Sequence, residues 1–205
     1  MVNYHLLPTV NLRFLMDFRA VRSVNETIHG SREQRFPYYA FPTMTEPKAS
    51  RPHMPGYGIP TAQGGRGLLP WSWAVERLSA ARNYWIGTTC PDGRPHAMPV
   101  WGVWLEGRLL FSTGSRSRKA RNLAADPRCV VHPDSDERTV ILEGVAEKTT
   151  DPALLKQFKE AYGKKYQWNM DDFAEPVYAV RPRVAFGFIG ITGEFVGSAT
   201  RWVFE

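Results

Sequence analysis

The chain has 205 residues, enough for one domain with an appended segment and for a sizeable hydrophobic core. Its 43% hydrophobic and 22% charged residues are typical of a soluble globular protein, and no apolar run approaches the length of a membrane span. The formal net charge of +6 indicates an anionic ligand or partner, without choosing among a phosphate cofactor, a nucleic acid and a membrane surface.

Cysteine and histidine usage excludes two further classes of protein. Cys90 and Cys129 stand far apart without a CxxC motif, which indicates neither a disulfide scaffold nor a thiolate metal site. The five histidines are scattered and form no HExxH motif, so we expect no metal. We expect a reducing, cytoplasmic compartment.

The chain divides into three parts. Residues 1–43 differ in character from the rest, and we expect them to be a dispensable N-terminal extension, with Met44 as an alternative start. Residues 44–70 are rich in proline and glycine and are predicted to form an arm or linker without a regular element. Residues 71–205 carry the periodic patterns of a folded domain.

The patterns within that domain predict helices and short strands in the following order. Apolar residues at helical spacing predict a helix over 71–81. Two strands flank a Pro-Asp-Gly turn at 91–93, where proline presets φ and glycine takes the left-handed position. Strands linked by hairpins, without βαβ alternation, predict a mainly β fold with flanking helices, an antiparallel β-barrel. The remaining predicted elements are strands over 84–90, 95–105, 109–113, 128–132, 138–147, 177–180, 184–190 and 202–204, and helices over 117–126 and 151–162.

The helix at 117–126 begins with an electrostatic conflict. Arg116, Arg118, Lys119 and Arg121 crowd the end that backbone N–H groups and the helix dipole already make positive. A bound phosphate would resolve the conflict by accepting hydrogen bonds from the N–H groups, the serines and the basic side chains. A solvated basic surface explains the same segment equally well.

The strand at 95–105 contains Pro95 and Pro99, which cannot donate to a ladder, so we expect part of it to be unpaired on one side. A flat ring lying there would touch one alternating set of side chains. Trp101 and Trp104 are predicted either to line a pocket or to fill the core. His96 is either a ligand-facing or a structural histidine.

Four segments taken together resemble the pyridoxamine 5′-phosphate oxidase-like split β-barrel family. They are residues 93–101, 110–113, 117–127 and 138–144, with sequences GRPHAMPVW, LFST, SRKARNLAADP and RTVILEG. The combination looks most like the branch of deazaflavin (coenzyme F-420)-dependent oxidoreductases. The resemblance covers about 71–204 and implies a homodimer that holds FMN or the deazaflavin coenzyme at the subunit interface.

The resemblance also implies roles for particular residues. The phosphate would lie at Thr113, Ser117, Arg118 and Lys119, and the ring along His96, Met98, Val100 and Trp101. Thr139 falls where the oxidases have a glutamine, and Arg201 and Trp202 match an Arg/Trp pair near the cofactor. The chain lacks the family's C-terminal Arg-Leu-His-type motif, which argues against vitamin B6 as the substrate.

The resulting expectation is an enzyme that transfers a hydride between bound coenzyme F-420 and a small organic acceptor. FMN is the alternative cofactor, and a non-catalytic carrier of flavin or haem is the alternative function. We expect no nucleic-acid partner and assign no catalytic side chain, because the cofactor itself would move the hydride.

Overall fold

The structure, a computed structural model, describes residues 46–59, 66–135 and 137–205. The expectation for residues 1–43 lies outside this range. The helices are α1 (Trp71–Ala80), α2 (Arg118–Ala125), α3 (Pro152–Tyr166) and α4 (Phe195–Ser198). The strands are β1 (Lys48–Ser50), β2 (Asn83–Thr89), β3 (Pro95–Leu105), β4 (Arg108–Ser112), β5 (Arg128–Pro133), β6 (Arg138–Lys148), β7 (Val177–Ile189) and β8 (Thr200–Val203).

Six antiparallel strands close into a barrel in the order β7, β4, β3, β2, β5 and β6, because β6 pairs back onto β7. β8 pairs with the second half of β7, and β1 pairs with β8 outside the barrel. The mainly β fold with an antiparallel barrel and flanking helices, predicted from hairpin spacing, is confirmed.

Turn chemistry sets the register of the early hairpins. Gly93 adopts a φ of 84° between β2 and β3, in the left-handed position that the Pro-Asp-Gly turn requires. Glu106 and Gly107 link β3 to β4 with φ values of 48° and 71°. Two positive φ values in a two-residue loop are typical of a type I′ turn, whose twist matches the flanking strands.

Apolar side chains form two clusters. The larger one fills the barrel and includes Tyr84, Phe111 and Trp202, with α1 packed against it through Ala74 and Leu78. The smaller cluster lies outside the barrel beneath α3, where Phe158 and Leu154 pack against Val103, Leu110 and Ala179. α3 therefore covers part of the outer face of β3, β4 and β7.

Two segments differ from expectation. The strands predicted over 177–180 and 184–190 form one continuous strand, because a register shift between Glu143 and Gly144 accommodates Pro182 in β7. Within the arm predicted to lack regular structure, β1 pairs with β8. A three-residue edge strand has too short a pattern to be visible in sequence.

Gly144 occupies the register shift, and its replacement by alanine is expected to lower stability. An added Cβ would collide with the carbonyl oxygen of Arg181 and lie 3.1 Å from the Cα of Pro182. These are backbone atoms of a central strand, so we expect a loss of about 1 to 3 kcal/mol in the free energy of unfolding. Denaturant titration would measure it. Gly197→Ala is the control, because its added Cβ has no atom within 4 Å; equal effects of the two changes would contradict the argument.

Candidate functional site

The start of α2 brings two hydroxyl groups together. Ser117 is the N-cap of the helix, and its Oγ accepts a hydrogen bond from the backbone N–H of Ala120 at 3.1 Å. The hydroxyl of Thr113, which follows β4, lies 3.0 Å from the same Oγ. β4 and the turn closed by Ser117 N–H and Gly114 O thus fix both hydroxyls beside the first turn of the helix.

Lys119 is half-buried in the first turn of α2, two residues after Ser117, and desolvation lowers the pKa of its ammonium group. The ion pairs within the described part of the chain use four arginines, and none of them involves Lys119. Helix geometry leaves the N–H groups of Arg118 and Lys119 without partners inside the helix. We call Thr113, Ser117 and Lys119 the hydroxyl–lysine cluster; together with these N–H groups it is a donor set suited to an anion.

Asn122 links α2 to the barrel through hydrogen bonds. Its side-chain amide donates to Thr88 Oγ1 at 3.0 Å and to Cys90 Sγ at 3.6 Å, and Asn122 is almost fully buried. Lys119 and Asn122 are three residues apart and share a face of the helix. Lys119 therefore lies one helical turn from the contact with the end of β2.

An open groove of about 880 Å³ begins at that end of β2. It runs over the outer face of the barrel across residues 87–89, 95–97, 128–130, 143–145 and 183–184, and Asp126 of the α2 C-cap borders it. One row of paired residues crosses its floor in the order Ala97, Gly87, Val130, Glu143 and Val184. Ala97 and Gly87 at one end of that row are small and leave room for a flat ligand.

β3 supplies a free backbone edge next to the groove. Residues 95–101 pair with β2, whereas β4 pairs only with residues 102–105, as the two prolines predict. His96 borders the groove, and its Nδ1 is buried without a hydrogen-bond partner in the described part of the chain. Met98 is 43% exposed on the same strand. A ligand with a polar edge would satisfy the His96 nitrogen.

Two of the predicted residues, Val100 of the ring site and Trp202 of the Arg/Trp pair, lie inside the barrel. Val100 is 7% exposed and Trp202 is fully buried, and both pack in the barrel core. Side chains alternate along β3, so His96, Met98 and Val100 lie on the same face of the strand. His96 and Met98 lie at its open end, and Val100 lies in the core. Trp202 packs edge-on against Trp71 at 5.3 Å between ring centroids.

The other predicted residues are spread over the surface. Trp101 stacks on Tyr166 at 4.6 Å, at the border between β3 and α3. Thr139 lies opposite Phe188 near the start of β6. Arg201 borders a small pocket with Lys48 and lies outside the groove. Arg118 is exposed at the start of α2. Hydrogen bonds from Arg94 lower the pKa of Asp92, and the charge of Arg118 lowers it further.

A second polar cluster, missed by the sequence analysis, closes the other end of β2. The ammonium group of Lys165 donates to the backbone oxygen of Gly102 at 2.8 Å and to the hydroxyl of Tyr84 at 3.2 Å. The hydroxyl of Tyr166 accepts from Gly102 N–H at 2.8 Å and donates to Arg82 O at 2.6 Å. The helical spacing of α3 does not predict this cluster, because its partners are Gly102, Tyr84 and Arg82, which are distant in the chain.

Stability should depend on pH through Lys165. Burial, followed by the charge of Arg82, lowers the pKa of Lys165 to about 8, below the unfolded value of about 10.4. The unfolded chain therefore binds more protons between these values, and the contribution of Lys165 to stability grows as pH rises through them. Relative to Lys165→Met, wild type should gain about 1 to 2 kcal/mol between pH 7.5 and 9.5.

Denaturant unfolding at several pH values measures this difference. Burial also raises the pKa of Cys129 and of Tyr84, so absolute stability changes with pH for other reasons. The comparison with Lys165→Met removes those contributions. A difference that stays constant with pH would contradict the depressed pKa, and the exposed Lys164→Met should show such a constant difference.

Two absences bear on the site. In the part of the chain that the structure describes, no group of three His, Cys, Asp or Glu side chains is arranged to hold a metal ion. None of the described helices combines the length and apolarity needed to cross a bilayer.

Two solved structures with TM-scores of 0.50 or more share the fold of this chain. A conserved hypothetical protein from Mycobacterium tuberculosis aligns with 22% identity and a TM-score of 0.56, over 63% of this chain and 91% of the other. A heme-binding protein from Mycobacterium smegmatis aligns with 23% identity and a TM-score of 0.50, over 61% of this chain and 56% of the other. An F420 reductase aligns more weakly, with a TM-score of 0.44 and 22% identity over 54% of this chain and 93% of the other.

No curated protein matches the sequence at a significant level. The sequence model of the family described as pyridoxamine 5′-phosphate oxidase matches residues 74–192, more than half of the chain. This match begins in α1 and ends before α4, so it takes in the whole closed barrel, α2 and α3. The chain belongs to the pyridoxamine 5′-phosphate oxidase family.

Proposed function

We propose that this protein is an oxidoreductase that uses coenzyme F-420, with FMN as the alternative cofactor, and reduces or oxidises a small organic molecule. The observation that carries the proposal is the half-buried Lys119 in the first turn of α2, the helix whose N-cap, Ser117, bonds to Thr113. A partly desolvated cation at a positive helix end is unfavourable unless an anion binds there.

The residues fit a cofactor that joins a flat ring to a phosphate. Thr113, Ser117 and Lys119 would hold the phosphate, with the N–H groups at the start of α2. Ala97 and Gly87 leave space for a ring on the groove floor, and the buried His96 Nδ1 has no partner among the described residues; a heterocyclic edge can provide one. Met98 offers an exposed, polarisable contact beside it.

A flavin or deazaflavin, when bound, supplies the hydride chemistry itself. The tasks left for this chain are to bind the phosphate, orient the ring and exclude water from one of its faces. We assign no proton-transferring side chain. Asp126 and Arg128 border the groove, but they bind each other through contacts of 2.6 to 3.1 Å, and this pairing lowers the pKa of Asp126 to about 2.

Titration of the purified full chain with coenzyme F-420 and with FMN, followed by absorption, tests the proposal. A shifted and saturable ring spectrum with either cofactor is expected. Absence of binding to both would refute the proposal. Binding without hydride transfer to any acceptor would instead favour a non-catalytic carrier, and a Soret band on addition of haem would identify haem as its cargo.

We further propose that the protein is a homodimer with its groove at the subunit interface. Val130 is 40% exposed at the centre of the groove floor, between Gly87 and Glu143. A two-fold partner would cover the exposed Val130 and enclose the cofactor. Thr139 and Arg201, which lie outside the groove of their own protomer, stay in the proposal as residues contributed across that two-fold.

Val130→Lys is expected to weaken the dimer without unfolding the protomer. An exposed valine costs little to replace in an isolated chain, whereas a lysine in an apolar interface would be desolvated without a partner. Sedimentation velocity at micromolar concentration should show a dimer for wild type and a monomer for the variant. Lys164→Ala, on the exposed side of α3, is the control. A wild-type monomer with cofactor bound would contradict the shared site.

A further inference from the structure

An acidic side chain approaches the start of α2 from a distant part of the chain. Glu175 Oε2 accepts a hydrogen bond from the backbone N–H of Ser115 at 3.3 Å. The same oxygen lies 3.9 Å from the position of a Cβ added to Gly114. Sequence reasoning identified only basic residues here, because Glu175 is about sixty residues away in the chain.

The backbone on both sides of Glu175 is anchored. Pro176 O accepts from Ser112 Oγ at 3.0 Å, and Val177 pairs with the same residue of β4. On the other side, Met170 is buried and Phe173 packs on Phe158 at 6.0 Å between ring centroids. These contacts fix the backbone of the loop, which places the exposed Glu175 side chain near the start of α2.

Glu175 lies within electrostatic range of the hydroxyl–lysine cluster. The turn closed by Ser117 N–H and Gly114 O at 2.9 Å contains Ser115, so Ser115 is two residues from the N-cap. Two residues span at most about 7 Å. The carboxylate is thus about 10 Å or less from Ser117, which is comparable with the Debye length at physiological salt.

We propose that Glu175 is a specificity-determining residue that selects a phosphate with one negative charge over a phosphate with two. A phosphomonoester such as FMN carries nearly two charges at pH 7, whereas a phosphodiester, such as the one in coenzyme F-420, carries one. Lys119 and the helix N–H groups attract both. Repulsion from the Glu175 carboxylate grows with the charge of the ligand, so it weakens binding of the monoester more. This inference rests on the proposed function.

Three ligands with one ring system test the proposal: riboflavin, its cyclic 4′,5′-phosphodiester and FMN carry about zero, one and two phosphate charges. Glu175→Gln keeps the shape of the side chain and the hydrogen bond from Ser115 while removing the charge. We expect its affinity to rise about tenfold for FMN, about threefold for the cyclic diester and not at all for riboflavin. Asp172→Asn, an exposed carboxylate of the same loop, is the matched control and should change none of the three.

The outcomes separate this inference from the proposed function. If wild type binds FMN more tightly than riboflavin but Glu175→Gln changes all three affinities equally or not at all, Glu175 has no role in selection and the phosphate site stands. If wild type binds none of the three ligands, or binds riboflavin and FMN equally, the phosphate site fails and the inference fails with it. If the gains in affinity of Glu175→Gln over wild type disappear at high salt, they arise from the charge of Glu175.

Discussion

Replacing Arg51 with methionine is expected to lower the free energy of unfolding by about 3 to 5 kcal/mol, a large part of the stability of a domain this size. Arg51 is 5% exposed, and one guanidinium nitrogen donates to the backbone oxygens of Gly197 and Ala199 at 2.8 Å each. Another donates to Arg66 O. Methionine fills the volume but leaves these carbonyls without donors.

The loss should be large because Arg51 joins three segments of the chain. They are the residues after β1, those before α1, and α4 with the residue that follows it. Their backbones approach so closely that a Cβ on Gly67 would lie 2.8 Å from Gly197 O. Hydrogen bonds from a charged donor contribute about 1.5 to 3 kcal/mol each.

Denaturant unfolding of wild type, Arg51→Met and Arg51→Lys measures the effect. Lysine keeps the charge but not the planar fork, so its stability should be intermediate. Arg108→Met is the control, since Arg108 is exposed on β4. A change below about 1 kcal/mol for Arg51→Met, typical of a surface substitution, would show that the segments hold together without it.

Lys119→Ala is expected to weaken binding of the phosphate-bearing cofactor about ten- to a hundredfold. A direct charge-assisted hydrogen bond in a partly desolvated place is worth about 1.5 to 3 kcal/mol, and each 1.4 kcal/mol is a factor of ten. Stability without cofactor should respond in the opposite sense. The variant loses a charge that the helix dipole and desolvation both disfavour, so its melting temperature should be unchanged or slightly higher.

The comparison requires wild type, Lys119→Ala and Lys164→Ala, with dissociation constants for the cofactor and melting temperatures without it. Lys164 is exposed near the C-terminus of α3 and serves as a cation outside the site. A solvated basic surface at α2 would leave all three dissociation constants equal.

Local chemistry explains what could be predicted from the sequence. The turns at Gly93 and Gly107 depend on residues adjacent in the chain, and they fix β2, β3 and β4 in antiparallel order. The capping role of Ser117 follows from its own side chain and the next turn of helix. The Pro-Asp-Gly turn and the helix over 117–126 were predicted with nearly the bounds that the structure shows.

Contacts between distant segments could not be predicted. The contacts of Arg51 with Gly197 and Ala199, the approach of Glu175 to Ser115 and the Lys165 cluster join residues more than fifty positions apart. Val100 and Trp202 fit the alternating pattern of a ligand-lining strand as well as that of a core strand. Only the closure of the barrel distinguishes the two, because it decides which side of each strand is enclosed.

If the hydroxyl–lysine cluster binds the phosphate of a ring-bearing cofactor, each cofactor should bind more tightly than its phosphate-free counterpart. Measuring the affinities of both members of each pair tests this directly. The dissociation constants of FMN and riboflavin, and of coenzyme F-420 and its ring–ribityl precursor, are measured for wild type and Lys119→Ala. We expect wild type to prefer the phosphorylated member of at least one pair by about tenfold or more, and Lys119→Ala to remove most of that preference. Equal affinities within both pairs for wild type, or a preference that Lys119→Ala leaves intact, would contradict this expectation.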